Sequence, residues 1–225
     1  MKPDYERDGI RLYRGDCLVV LPTFEAGSIA AVVTDPPYGI GYVKSTGGNS
    51  IHAKRKRNII PIINDDKPFD PAPLLMFSNV LTWGADHYAQ RLPHGRFLAW
   101  DKLGGIHEPW DSFSDVEYAW HSRPGASRIF RLMWKGLCQG TGMDKGTKRF
   151  HPTQKPVALM IWCIKQSGAA EGTTILDPFM GSGTTAIACI RTGHRFIGVE
   201  IDPHYFDVAV ARIESEFNRH PLFKE

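Results

Sequence analysis

Thr34-Asp35-Pro36-Pro37-Tyr38 packs a carboxylate, two consecutive prolines and an aromatic ring into one short stretch. A carboxylate and the neighbouring Pro36 carbonyl can together accept the two hydrogens of an amino group. That matters for an exocyclic amine on an aromatic base, whose lone pair is delocalised into the ring. The two acceptors favour the pyramidal form, in which the pair is localised and can attack an electrophile. The prolines fix φ and stiffen the loop, so that Asp35 and the carbonyl stay aimed. The Tyr38 ring can stack on a base taken out of its helix. The same string also reads as a proline turn that merely ends a strand, so its weight depends on what accompanies it.

A second group of residues, Asp177-Pro178-Phe179-Met180-Gly181-Ser182-Gly183-Thr184-Thr185, runs from an apolar strand-like run into a helix-like one. Gly181 and Gly183 allow a tight turn and close approach of the backbone to a ligand, and the helix start offers unpaired N–H groups. The loop lacks the lysine of a phosphate-binding Gly-Lys-Ser/Thr, which disfavours a nucleoside triphosphate. At the end of the next strand, Glu200 can accept hydrogen bonds from both hydroxyls of a ribose. Together these features favour a dinucleotide or an adenosyl cofactor without choosing between them.

The elements that must position these groups alternate along the chain. Ile29 to Thr34 is a β-branched run closed by two prolines, which cannot donate to a ladder. A helix-containing region is expected from Pro71 to Leu92 and a strand from Phe97 to Trp100. Val116 to His121 and Ile129 to Trp134 flank Arg123-Pro124-Gly125 and read as a hairpin. The spacing then predicts a helix from Pro156 to about Gly168, a strand over Thr174 to Leu176, a helix from Thr184 to Thr192 and a strand over Phe196 to Val199. Phe206, Val210, Ile213 and Phe217 mark one face of a final amphipathic helix. Strand, helix, strand, helix implies an α/β fold with a parallel sheet covered on both sides.

The 225 residues suit a single domain, and 42% hydrophobic against 23% charged residues is ordinary for a folded chain. A formal net charge of +3 is too mild to announce a nucleic-acid partner. Its distribution says more: Lys44, Lys54, Arg55, Lys56 and Arg57 fall in a glycine-bearing segment, residues 39–58, with no acidic residue among them. The four cysteines, Cys17, Cys138, Cys163 and Cys189, lack the close spacing of a zinc or redox motif. With no apolar run long enough to cross a bilayer, a cytoplasmic protein without membrane or metal partners is expected.

Taken in order, Gly15-Asp16-Cys17, Asp35-Pro36-Pro37-Tyr38, Trp100-Asp101-Lys102, His151-Pro152-Thr153-Gln154-Lys155-Pro156, the loop from Asp177 to Thr185 and Glu200 resemble the amino-methyltransferase family of DNA methyltransferases. The order is that of the group whose catalytic motif precedes its cofactor motif. The resemblance implies a Rossmann-like seven-stranded sheet, mostly parallel, with one antiparallel hairpin strand. It implies S-adenosylmethionine as cofactor and double-stranded DNA as partner, with a base flipped into the site. Asp35, Pro36, Pro37 and Tyr38 take the catalytic positions. Asp16, Cys17, Asp177, Pro178, Phe179, Gly181, Ser182, Gly183, Thr184 and Glu200 take cofactor positions, with Thr153 and Lys155 near the methionine end. Asp as the first residue of the tetrad leans to adenine N6; cytosine N4 is the alternative, and a related restriction-modification role is implied.

Many members of that family carry an inserted target-recognition domain, and this chain has no segment large enough for one. DNA contacts are therefore expected from loops 39–58 and 136–150, and a homodimer is expected to enlarge the surface offered to a duplex. A nicotinamide oxidoreductase would account for the glycine loop and Glu200 but not for Asp35 to Tyr38. A DNA-binding homologue without catalysis would be expected to show a broken tetrad or a filled cofactor loop, and neither is present.

Overall fold

The computed structural model describes residues 1–25, 27–41, 62–105, 114–135, 138–139, 150 and 153–219. The strands are β1 (Tyr5–Arg7), β2 (Ile10–Arg14), β3 (Ala31–Thr34), β4 (Val80–Trp83), β5 (Arg96–Asp101), β6 (Val116–His121), β7 (Arg128–Arg131), β8 (Trp134–Lys135), β9 (Cys138–Gln139), β10 (Thr174–Asp177) and β11 (Arg195–Glu200). The helices are α1 (Cys17–Val20), α2 (Val157–Ser167), α3 (Thr184–Arg191) and α4 (Pro203–Arg219).

One nine-stranded sheet carries the fold, in the order β1-β2-β11-β10-β3-β4-β6-β5-β7, with β8 and β9 forming a separate pair. From β2 through β11, β10 and β3 to β4 every neighbour is parallel. β6 enters antiparallel between β4 and β5, and β7 adds in parallel to the far side of β5. The mostly parallel α/β sheet with one antiparallel strand brought in by a hairpin is thus as expected, but it has nine strands rather than seven. The additions are at its edges. β1 folds back on β2 around Asp8 and Gly9, both with positive φ, a pairing that suits the twist of a two-residue hairpin.

Two other expectations need correction. Val116–His121 does not pair with the segment that follows it, because both edges of β6 are taken by β4 and β5, which leaves β7 only the outer edge of β5. The region Pro71 to Leu92 holds turns, the buried strand β4 and two short 3₁₀ turns rather than a regular helix. Val80-Leu81-Thr82-Trp83 is a β-branched and aromatic run, and Gly84 at φ +69° ends it. The helices fall where the sequence puts them: α2 is closed by Gly168 in the left-handed conformation, where a glycine carries no Cβ strain.

Alternate strand residues feed two cores. Ile10, Leu12, Val33, Trp83, Leu98, Trp100 and Ile175 pack against Leu159, Cys163, Ala186, Ile190, Ile213 and Phe217 of the three longer helices. Tyr13, Val32, Val80, Trp120, Leu176 and Val199 face the other way, onto Val20, Leu74, Phe77 and Tyr88. One side of the sheet is therefore helical, while the other is roofed by the short α1 and the turns of 71–92. Because the parallel strands share a direction, the segments that follow β2, β3, β4, β5, β10 and β11 all emerge at one edge of the sheet, as does the start of the antiparallel β6.

Candidate active site

At that edge lies a cavity of about 610 Å³. Asp35, Pro36, Pro37 and Tyr38 from the end of β3 line it together with Asp16, Cys17, Pro178, Phe179, Gly181, Glu200, Thr153 and Lys155. The two halves proposed from sequence thus share one space.

Asp35 is engaged through both oxygens. The Tyr38 hydroxyl donates to Oδ1 at 2.5 Å, and the Lys155 ammonium donates to Oδ2 at 2.6 Å. Lys155 Nζ also reaches the Tyr38 hydroxyl at 3.1 Å and Glu117 Oε2 at 3.1 Å. Glu117 Oε1 in turn accepts from Lys102 Nζ at 2.8 Å. Two carboxylates and two ammonium groups therefore form one neutral chain along the cavity wall. Burial raises the Asp35 carboxyl, the Lys155 ammonium pulls it back, and the like charge of Glu117 adds to the rise. Burial opposes the Lys155 ammonium too, yet Asp35 and Glu117 beside it hold it above the ordinary lysine range. Burial also works against the Glu117 carboxylate, but Lys155 and Lys102 bring it down to about 2. The pair at 2.6 Å is an ammonium–carboxylate pair, since Lys155 faces two carboxylates while Asp35 faces one cation.

Tyr38 is fixed on three sides. Its ring stacks on His87 with centroids 5.0 Å apart, its hydroxyl is bound as described, and a Cβ on Gly84 would lie 2.0 Å from its Cε1. Gly84 is thus required both by its positive φ and by the ring pressed against it.

On the cofactor side, Glu200 Oε2 accepts from Gly181 N and Oε1 from Asp202 N, each at 2.8 Å. Burial lifts its carboxyl to about 7 against the pull of those N–H groups. Asp16 accepts from Leu18 N at 2.9 Å and caps α1. Phe179 meets Phe69 edge to face at 5.6 Å.

Asp177, Ser182, Gly183 and Thr184 do not line this cavity but sit behind it, the first, second and fourth against a smaller one of about 50 Å³. Asp177 is 3% exposed and spends its oxygens on the protein: Thr34 and Thr185 hydroxyls donate at 2.7 and 2.6 Å and Phe179 N at 3.1 Å. Burial lifts this carboxyl to about 6. It therefore ties the strand that carries Asp35 to the loop that carries Phe179. Ser182 and Thr184 are held from α4 by the Arg212 guanidinium, which donates to the Ser182 carbonyl and hydroxyl and to the Thr184 hydroxyl. Gly183 at φ +78° opens α3.

Lys44, Lys54, Arg55, Lys56 and Arg57, most of loop 136–150 and His151 lie outside the described residues. Glu117, His87 and Arg212 carry no signal in the sequence; Lys155, expected near the methionine end of the cofactor, lines the cavity and bridges to Asp35. No local pattern marks them, because their partners are remote in the chain. Lys102 had a signal, the Trp100-Asp101-Lys102 string, but no assigned role. Among the described residues no group of acidic, His or Cys side chains could hold a metal ion, and no described helix is long and apolar enough to cross a membrane.

Comparison with known proteins gives a consistent result. The profile of a DNA methylase family, the N6/N4 methyltransferases, matches residues 107–211. The chain is 26% identical to the type II methyltransferase M.ScaI of Streptomyces caespitosus over 258 aligned positions, which take in 96% of this chain and 84% of that protein. Among solved structures, the M1.HpyAVI–SAM complex is 24% identical with a TM-score of 0.54, covering 91% of this chain and 98% of that one. The cytosine-N4-specific PvuII DNA methyltransferase is 16% identical with a TM-score of 0.56, covering 97% and 94%. At these identities the structural likenesses speak for the fold.

Proposed function

We propose that the chain is a member of the amino-methyltransferase family of DNA methyltransferases and that it transfers a methyl group from S-adenosylmethionine to the N6 amino group of adenine in duplex DNA. The observation that carries this reading is the placement of the Asp35 carboxylate, at the carboxyl end of β3, in one cavity with Phe179 and Glu200.

That cavity also favours one of the two cofactor classes left open by the glycine loop. Asp16, Glu200 and Asp202 line it on the cofactor side, so a pyrophosphate would face carboxylates. A cationic, hydroxyl-rich ligand is complementary there: Glu200 and Asp16 would hold its ribose and adenine ends, beside Phe179. Bound there, S-adenosylmethionine supplies an electrophilic methyl group on a sulfonium. Asp35 and the Pro36 carbonyl accept the two amine hydrogens, which localises the nitrogen lone pair toward that methyl. The cofactor would supply the methyl group and retain the bonding pair on its sulfur, and Asp35 would receive the one proton that the amine releases along their hydrogen bond. The base stacks on the face of Tyr38 opposite His87.

Asp35 at the head of the tetrad supports adenine over cytosine. We take the chain as a single methyltransferase domain, with duplex contacts from Lys44 and the Lys54 to Arg57 run, working as a homodimer. The test is incubation of the protein with methyl-labelled S-adenosylmethionine and genomic DNA, followed by nucleoside analysis. N6-methyladenine is the expected product. N4-methylcytosine alone would overturn the choice of base, and no labelled nucleoside would overturn the reading.

A further inference from the structure

The ion chain along the cavity wall contains more than a clamp for an amine requires. Lys155 donates to Asp35 Oδ2 and the Tyr38 hydroxyl, and its ammonium lies 3.1 Å from Glu117 Oε2, a buried carboxylate oxygen that accepts no hydrogen bond in this arrangement. An incoming amino group needs an oxygen of Asp35, and an ammonium at 2.6 Å competes for that oxygen while drawing charge from it. The ammonium cannot simply leave, because its side chain is 8% exposed and a buried cation needs a partner. Glu117 is that partner: it lies at the start of β6, already 3.1 Å from Lys155 Nζ, and is anchored from its other oxygen by Lys102 at 2.8 Å.

We infer that Glu117 is a positioning residue for methyl transfer, acting as a second berth that takes the Lys155 ammonium when the amine of the target base occupies Asp35. The inference rests on the functional reading above. Moving the cation from one carboxylate to the other keeps the wall neutral and leaves no buried charge alone. Lys155 and Lys102 keep Glu117 ionised and Lys102 holds it in place, so the berth exists before the base arrives. The exchange is short, since Lys155 is already in contact with both carboxylates.

Replacing Glu117 by Gln preserves shape and removes the charge. In E117Q the ammonium stays on Asp35, so kcat on DNA should fall about 10- to 100-fold, the scale of a hydrogen bond to a charged group. The dissociation constant for S-adenosylmethionine should stay at the parental value, because Glu117 does not touch Glu200, Asp16 or the Asp177 loop. A positioning effect exerted through Lys155 has a further signature. In a K155M background, with no ammonium left to berth, E117Q should produce no additional loss in the single-turnover rate. A merely structural role would instead lower the rate by the same factor in both backgrounds, which overturns the inference, as does an E117Q rate equal to the parental one. In either case an active parental protein leaves the functional reading standing. A parental protein that methylates no DNA base overturns that reading and this inference with it.

Discussion

The proposed cofactor wall and the proposed amine clamp are built at the same edge of one sheet by different means. On the cofactor wall all the partners but Thr34, which reaches Asp177 from β3, are close in the chain: Glu200 is held by Gly181 and Asp202, and Asp177 by Phe179 and Thr185. Backbone N–H groups supply three of those four local bonds. In the clamp the partners are side chains from distant elements, with Lys155 reaching Asp35 across 120 positions and Tyr38 across 117. A wall made chiefly from consecutive elements, β10, its loop, α3 and β11, is set largely as that unit folds. A clamp assembled from β3, β5, β6 and the segment before α2 is set only when the whole sheet is in place. Changes in the clamp should therefore alter catalysis without cofactor affinity, and changes in the wall should do the reverse.

The largest expected effect is that of Asp35→Ala. Loss of the preorganised acceptor should lower the methylation rate about 10²- to 10³-fold. Calorimetry should return cofactor affinity within a few-fold of the parental value, and a comparable loss of affinity would break the division between the two regions.

Gly84→Ala probes the clamp without touching a charge. Its Cβ would sit 2.0 Å from the Tyr38 ring, at a backbone φ of +69°. The ring and its hydroxyl, and with them the Asp35 carboxylate, must shift. A displacement of that order in a positioned group lowers a rate about 100-fold. Unchanged kcat with correct folding by circular dichroism would mean that Tyr38 has more freedom than its packing implies.

These contrasts also explain what could be read from the sequence. Asp35 to Tyr38 and Asp177 to Thr185 were legible because each is contiguous and sits at a strand end, where proline or glycine marks the turn. Helices α2, α3 and α4 were legible from apolar spacing and from Gly168 and Gly193. Strand β4 was not, because Val80–Trp83 is a short run buried on both faces that carries no alternation, inside a segment rich in turns. β1 and β2 were overlooked although Asp8-Gly9 is a hairpin signal, since the charged residues around it mask the buried Ile10 and Leu12. The wrong hairpin for β6 arose from reading sequence neighbours as sheet neighbours. Glu117 and the pairing of Lys155 with Asp35 could not be read at all: a pairing of side chains across the sheet leaves no periodic trace.

The cofactor wall has its own pH signature. Glu200 has a carboxyl lifted by burial to about 7, and in the proposed reading the ribose hydroxyls donate to its charged form. Affinity for S-adenosylmethionine should therefore rise with pH through about 7, by about tenfold between pH 6 and pH 8 for one linked proton. Stability runs the other way. A folded-state value above the unfolded one contributes stability that is fully present below about 4.5 and is lost as pH rises through about 7. Glu200→Gln should flatten both curves, measured by calorimetry and by thermal unfolding without cofactor. A pH dependence of affinity that survives the substitution would move the titrating group elsewhere.

The smallest effect, and the finest probe of the wall, is Asp16→Ala. Asp16 is exposed and has two tasks: it accepts from Leu18 N to cap the four-residue α1, and it lines the cavity beside Glu200. Loss of an N-cap costs about 1 kcal/mol of local stability. So short a helix has little of its own to resist with, since most helical stability comes from packing. Its buried residues Cys17 and Val20 hold α1 to the sheet, however, so the fold should survive. Cofactor affinity should weaken about fivefold, the equivalent of that 1 kcal/mol, through a looser α1 and the lost carboxylate together. Asp16→Asn separates the two, because asparagine caps as well as aspartate but carries no charge. If Asn restores thermal stability but not affinity, the carboxylate itself meets the cofactor. If Asn restores both, Asp16 serves only to cap α1, and the charged part of the wall reduces to Glu200 and Asp202.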